Sequence, residues 1–248
     1  MIPPVSPLVP AVGLSLAGSL GGLLCASLLL LLPAPQRSRL VPWLVSYAVG
    51  ALLGVALMAL LPEALELRPA PQVFGTLLVG ILGFFMLEKA VLWRHCHTDT
   101  CEVHGISPSL VLIGGAVHNF VDGAMIGAAV LTSVPLGIST AVAVAAHEVP
   151  QEIGDFAVLL HAGYSRSKAL ALNVLCGSAS VAGAIAAVLL VDLLPGMLPY
   201  LLAVAAASFL YVAMADLIPD LHHRGPSGIV AIRQIVLVGL GMATVLFL

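Results

Sequence analysis

Two short stretches of this chain hold most of the side chains that could do chemistry. They are His118-Asn119-Phe120-Val121-Asp122 and His147-Glu148-Val149-Pro150-Gln151-Glu152, with Asp155 just beyond. Between His95 and Arg166 there is no Lys or Arg, so these carboxylates have no cationic side chain nearby in sequence. Either some of them hold protons, or the balancing cation is not part of the protein. Imidazole beside carboxylate favours the second reading, because that ligand set suits a borderline divalent metal. The spacing agrees. His118 and Asp122 are four apart and share one helix face, as do His147 with Gln151 and Glu148 with Glu152. Asp155 lies four beyond Gln151 and is an accessory candidate.

A hydrolytic reading fails on the same residues. His147-Glu148 begins the H-E-x-x-H pattern of zinc proteases, but its second ligand position is Gln151 and Pro150 disrupts the turn that should align the pair. An intramembrane metalloprotease is therefore the weakest alternative, and the chain is read as not an enzyme. No resident cofactor is expected.

The elements that position these groups follow from composition. Of 248 residues, 60% are hydrophobic and 8% charged, with mean hydropathy +1.13. Soluble domains carry about a quarter charged residues, so this is a membrane chain. Its net charge of -3 excludes a basic nucleic-acid binder. Four Cys are too few for a disulfide scaffold.

Runs bounded by Pro, Gly and charge give eight spans, at about 9–32, 40–62, 72–93, 107–132, 135–162, 169–193, 197–217 and 227–248. The expectation is one all-α polytopic membrane domain over 1–248. Continuous apolar runs disfavour a barrel. The first span is expected to be a helix, not a cleaved leader, since no basic segment precedes it. Basic residues near the odd-numbered connections are Arg37, Arg39, Lys89, Arg94, Arg166, Lys168, Arg224 and Arg233, against Arg68 alone on the even side. That asymmetry predicts odd connections in the cytoplasm and both termini outside.

On this plan the fourth and fifth helices are antiparallel and joined by a very short turn. At about 1.5 Å per residue, His118 and His147 each lie roughly 17–18 Å deep, near the bilayer midplane. Pro150 should free the Ala146 carbonyl, a potential oxygen ligand. Small residues at Gly114, Gly115 and Gly123, and at Gly177, Ser178, Ala179, Ser180 and Gly183, make the sixth helix the expected third wall.

The third connection, 94–106, carries His95, Cys96, His97, Cys101 and His104. It reads as a cytoplasmic loop able to bind metal after release, without the spacing of a closed zinc finger. His161 and His222-His223 could serve as exit-path ligands, but interfacial polar residues are the favoured reading for each.

His118-Asn119-Phe120-Val121-Asp122-Gly123, followed by His147-Glu148-Val149-Pro150-Gln151-Glu152-Ile153-Gly154-Asp155-Phe156, resembles the signature of the ZIP (Zrt-, Irt-like protein) family of divalent metal transporters. Leu60-Leu61-Pro62-Glu63-Ala64 and Ala215-Asp216-Leu217-Ile218-Pro219-Asp220 are also similar to that family's second and seventh helices. The resemblance implies an inverted-repeat bundle in which helices 1, 4, 5 and 6 move against 2, 3, 7 and 8, within a homodimer in the plasma membrane. It implies a main metal site of His118, Asp122, His147 and Gln151, with Asn119, Glu148 and Glu152 in or beside a second, bridged position. Gln151 stands where many relatives have His or Glu. Ser180 falls about where some bacterial relatives have a Glu. The implied activity is uptake of Zn2+ into the cytoplasm, with cadmium, iron and manganese as other substrates. The rival is a membrane metal sensor that binds without transport.

Overall fold

The computed structural model describes residues 6–93, 108–223 and 228–247. Among these there are eight long helices and no strand. They are α1 (Leu8–Leu30), α2 (Ala34–Leu67), α3 (Ala70–Trp93), α4 (Pro108–Thr132), α5 (Val134–His161), α6 (Arg166–Leu193), α7 (198–223) and α8 (Gly228–Phe247). Seven are long and apolar enough to cross a membrane; α5 falls outside that group. Its 28 residues suffice for length, but from its middle onward it holds His147, Glu148, Gln151, Glu152 and Asp155.

Several helices run past their apolar runs into the polar border. The second starts at Ala34, because Pro35 sits in its first turn, where the missing N–H costs nothing. The seventh continues beyond Leu217 to His223. Only Ser133 separates α4 from α5, and its hydroxyl caps α5 by accepting from the Leu136 N–H at 3.2 Å. Gly163, at φ 87°, closes α5 in a left-handed conformation that favours glycine. Ser165 then caps α6 by accepting from the Lys168 N–H. The sixth helix is interrupted at Ser178, between Arg166–Gly177 and Ala179–Leu193.

Four helix pairs pack closely, α1 with α5, α4 with α6, α2 with α8, and α3 with α7, while α4 also packs on α5, and α2 on both α7 and α5. Exchanging 1 with 6, 2 with 7, 3 with 8 and 4 with 5 converts each pair into another. The second and seventh helices also break alike. A π-helical stretch, Ala56–Leu60, precedes Pro62-Glu63, and a second, Val212–Leu217, precedes Pro219-Asp220. This is the relation of an inverted repeat.

Glycines set the closest contacts. A Cβ at Gly123 would fall 1.7 Å from the Ser180 carbonyl oxygen, and one at Gly183 would fall 1.9 Å from that of Phe120. In the other bundle, a Cβ at Gly50 would lie 2.0 Å from the Val238 oxygen. With no apolar driving force in lipid, such backbone approach supplies the packing.

The buried apolar core lies toward one face. It contains Leu52, Val55, Ala56, Leu60, Leu61 and Ala64 of α2, Met125, Ile126 and Val130 of α4, Ala141, Ala143 and Val144 of α5, and Leu202, Ala203 and Phe209 of α7. These are the segments nearest the second, fourth and sixth connections.

Candidate metal centre

His118 and Asp122 come from successive turns of α4, and His147 reaches across from α5. The three ligand atoms form a near-equilateral triangle. His118 Nε2 lies 3.3 Å from Asp122 Oδ2, His147 Nε2 lies 3.2 Å from the same oxygen, and the two nitrogens are 3.2 Å apart. Ligands held roughly 2.0–2.1 Å from a tetrahedral zinc are about 3.3 Å apart, so the triangle matches one face of that tetrahedron. The chemistry of the donors fits as well. His147 Nδ1 is 3.1 Å from the Ala143 carbonyl oxygen. If Nδ1 carries the hydrogen and donates there, the Nε2 lone pair points at the triangle.

Burial holds the triangle in place. Asp122 and His147 are 1% and 2% exposed, whereas His118 is partly open. Phe209 of α7 packs on the His147 ring at 6.3 Å between centroids.

The open side of His118 faces a cavity of about 450 Å³. Gln151 lines it beside His118, with Glu88, Tyr211 and Asp216 along the wall. Tyr211 donates a hydrogen bond to Glu88. The cavity lies along the C-terminal half of α3, the N-terminal half of α4 and the π stretch of α7, and so runs toward the third and seventh connections. The apolar core closes the opposite side. The triangle is therefore reached from one face.

The remaining candidates are distributed around this centre. Glu148 is 2% exposed, and neither carboxylate oxygen has a hydrogen-bond partner among the described residues. It faces α1, where a Cβ at Gly22 would fall 2.9 Å from its Oε2. Glu152 is also buried, with Oε2 unpartnered. Buried oxygens without donors need a proton or a cation. Asp155 packs against Gly115, within 3.4 Å of where a Cβ there would stand. Asn119 turns elsewhere. Its amide donates to the Gly115 carbonyl at 3.0 Å, and the Ser19 hydroxyl lies 3.1 Å from both its Oδ1 and the Gly177 oxygen. Ser180 faces α1, its hydroxyl 3.4 Å from the Ser15 carbonyl oxygen. Of the predicted small residues, Gly123 and Gly183 make the close α4–α6 approach, whereas Gly114 lines the cavity. His95, Cys96, His97, Cys101 and His104 lie outside the described residues.

Sequence reasoning did not single out Glu88, Tyr211 or Ser19. Each is a polar group within an apolar run, which was the available signal, but their partners lie about 100 residues or more away.

Comparison with known proteins adds an independent finding. The sequence model of the family described as ZIP Zinc transporter matches residues 92–248, more than half of the chain. Zinc transporter ZIP4 of Homo sapiens is 46% identical over 112 residues, covering 45% of this chain and 17% of that protein. Zinc transporter ZIP10 of Danio rerio is 42% identical over 114 residues, covering 46% and 14%. Zinc transporter ZIP10 of Mus musculus is 36% identical over 177 residues, covering 62% and 21%. The matches thus span about a fifth or less of the length of these relatives.

Proposed function

The chain belongs to the ZIP zinc transporter family, and from that premise we propose that it carries a divalent metal ion, foremost zinc, across the membrane into the cytoplasm. The observation that carries the proposal is the His118–Asp122–His147 triangle, sized for a tetrahedral ion and set at the end of a cavity that opens to one face.

The chemistry of passage follows from the ligands. Two neutral imidazoles and one carboxylate give a site of net charge -1, which attracts a divalent ion without the grip of a fully anionic cage. Gln151 or a water on the cavity side completes four-fold coordination. An amide oxygen is a weak ligand, so the ion leaves most readily in that direction. Glu148 and Glu152 supply carboxylates beside the site, toward α1 and the cytoplasmic half of α5. They serve as a second ion position or as proton carriers when the ion departs.

By the basic-residue count, the cavity opens to the cytoplasm and both termini lie outside. The described conformation is then the releasing one. For loading, the apolar seal formed by α2, α4, α5 and α7 must part. Pairing of α1 with α5 and α4 with α6, apart from α2 with α8 and α3 with α7, supports two four-helix bodies that shift against each other. A homodimer in the plasma membrane remains part of the proposal.

Zinc accumulation in sealed liposomes containing the purified chain tests this reading. A transporter fills the lumen, whereas a metal receptor binds the ion and leaves the lumen empty.

A further inference from the structure

A second cavity, of about 400 Å³, lies away from the metal centre, where the first and fifth connections meet. Its walls are Leu30 and Leu31 at the end of α1, Phe156, Ala157 and Leu160 near the end of α5, and Leu170 in the first turns of α6. Two arginines line it, Arg37 from the first turn of α2 and Arg166 from the start of α6, together with Ser27 and Ser167. Every lining residue lies within about five positions of a helix end, or roughly 8 Å along a helix. That is headgroup and upper acyl depth.

The charge here is uncompensated. There is no Asp or Glu in residues 1–62 or 156–191; the nearest acidic residue along α5 is Asp155, whose carboxylate packs toward Gly115 of α4. Among the described residues, neither Arg37 nor Arg166 has a carboxylate partner. Lys168, by contrast, lies over the Tyr164 ring at 4.7 Å, and in a separate notch between α2 and α8, lined by Arg39, Trp43 and Arg233, Arg233 stacks on Trp43 at 4.8 Å.

We propose that this cavity binds one phospholipid with an anionic headgroup, its phosphate between Arg37 and Arg166 and its acyl chains running out over the exposed Leu31 and Leu170. Two cations at interfacial depth above apolar walls suit a molecule with a phosphate at one end and hydrocarbon at the other. A soluble anion would satisfy the arginines but leave the apolar walls wet. Because Arg37 belongs to α2 and the other walls to α1, α5 and α6, the lipid joins elements of the two helix bodies. The binding claim depends on the chain spanning a membrane and is independent of transport.

The test is native mass spectrometry of the delipidated full chain in neutral detergent, titrated with phosphatidylglycerol or phosphatidylcholine. One phosphatidylglycerol should be retained in preference to phosphatidylcholine. R37A/R166A should weaken that retention about tenfold or more, the scale of two interfacial cations, while R37K/R166K keeps it. R39A/R233A removes the same charge at the α2–α8 notch and should leave retention unchanged. Ala157→Trp fills the cavity without altering charge and should also block binding, which guards against a folding defect in the double Arg variant. Millimolar inorganic phosphate should not displace the lipid. Equal retention of both lipids, unchanged retention in R37A/R166A and Ala157→Trp, or displacement by phosphate alone would each overturn the proposal.

Discussion

The Nε2 atoms of His118 and His147 lie 3.2 Å apart, although the residues are 29 positions apart and on antiparallel helices. Two imidazole nitrogens facing each other at that distance repel unless a proton or a cation lies between or beside them. Asp122 Oδ2, within 3.3 Å of both, makes the cation the natural occupant.

The first prediction follows from the unequal strength of the ligands. Purified protein with His147→Ala should bind zinc at least about tenfold more weakly, the scale of losing one imidazole ligand or its support. Gln151→Ala should weaken binding less, because an amide oxygen is a poor zinc ligand. Calorimetric titration of both variants checks the order, and a reversed order would contradict the ligand assignment.

Backbone contact between α4 and α6 gives a second prediction. Gly123→Ala places a methyl 1.7 Å from the Ser180 carbonyl oxygen, which cannot move aside as a flexible side chain can. The cost should reach about 1–3 kcal/mol or more, read as a lower apparent melting temperature in detergent. Gly83→Ala meets nothing within 4 Å and should leave melting unchanged or raised.

A third prediction concerns Ser19. Its one hydroxyl hydrogen serves Asn119 Oδ1 and the Gly177 oxygen, tying α1 to α4 and α6. Ser19→Ala should lower stability by about 1 kcal/mol and leave zinc affinity nearly unchanged. A large loss of affinity would mean that Asn119 is itself a ligand, held in place by Ser19.

Orientation yields the fourth. In a Cys-free background, single Cys at Pro71 or Pro195 should react with an impermeant maleimide on intact cells, and Cys at Ser38 or Ser167 only after lysis. The opposite pattern would reverse the membrane orientation and turn the cavity outward.

Much of this centre is legible in the sequence because it is local. The i, i+4 relation of His118 and Asp122 and the very short turn expected at 133–135 together bring α4 and α5 side by side with their polar groups at one depth. What was not legible depends on distant partners. Asn119 sits one residue from a triangle member, yet its side chain answers to Ser19 on α1. Glu88 and Tyr211 become cavity walls only once α3 lies against α7. The interruption at Ser178 and the π stretches of α2 and α7 have no signature in hydrophobic runs, because each break leaves the mostly apolar run around it unbroken.

The most direct test compares zinc uptake by the wild-type chain and by D122A/H147A, each in sealed vesicles loaded with a zinc indicator and matched for folded protein. The wild type should give a steady luminal rise, and the variant a trace near the protein-free background. Uptake by D122A/H147A at the wild-type rate would contradict this, since the ion would then be crossing by a route that does not use the triangle.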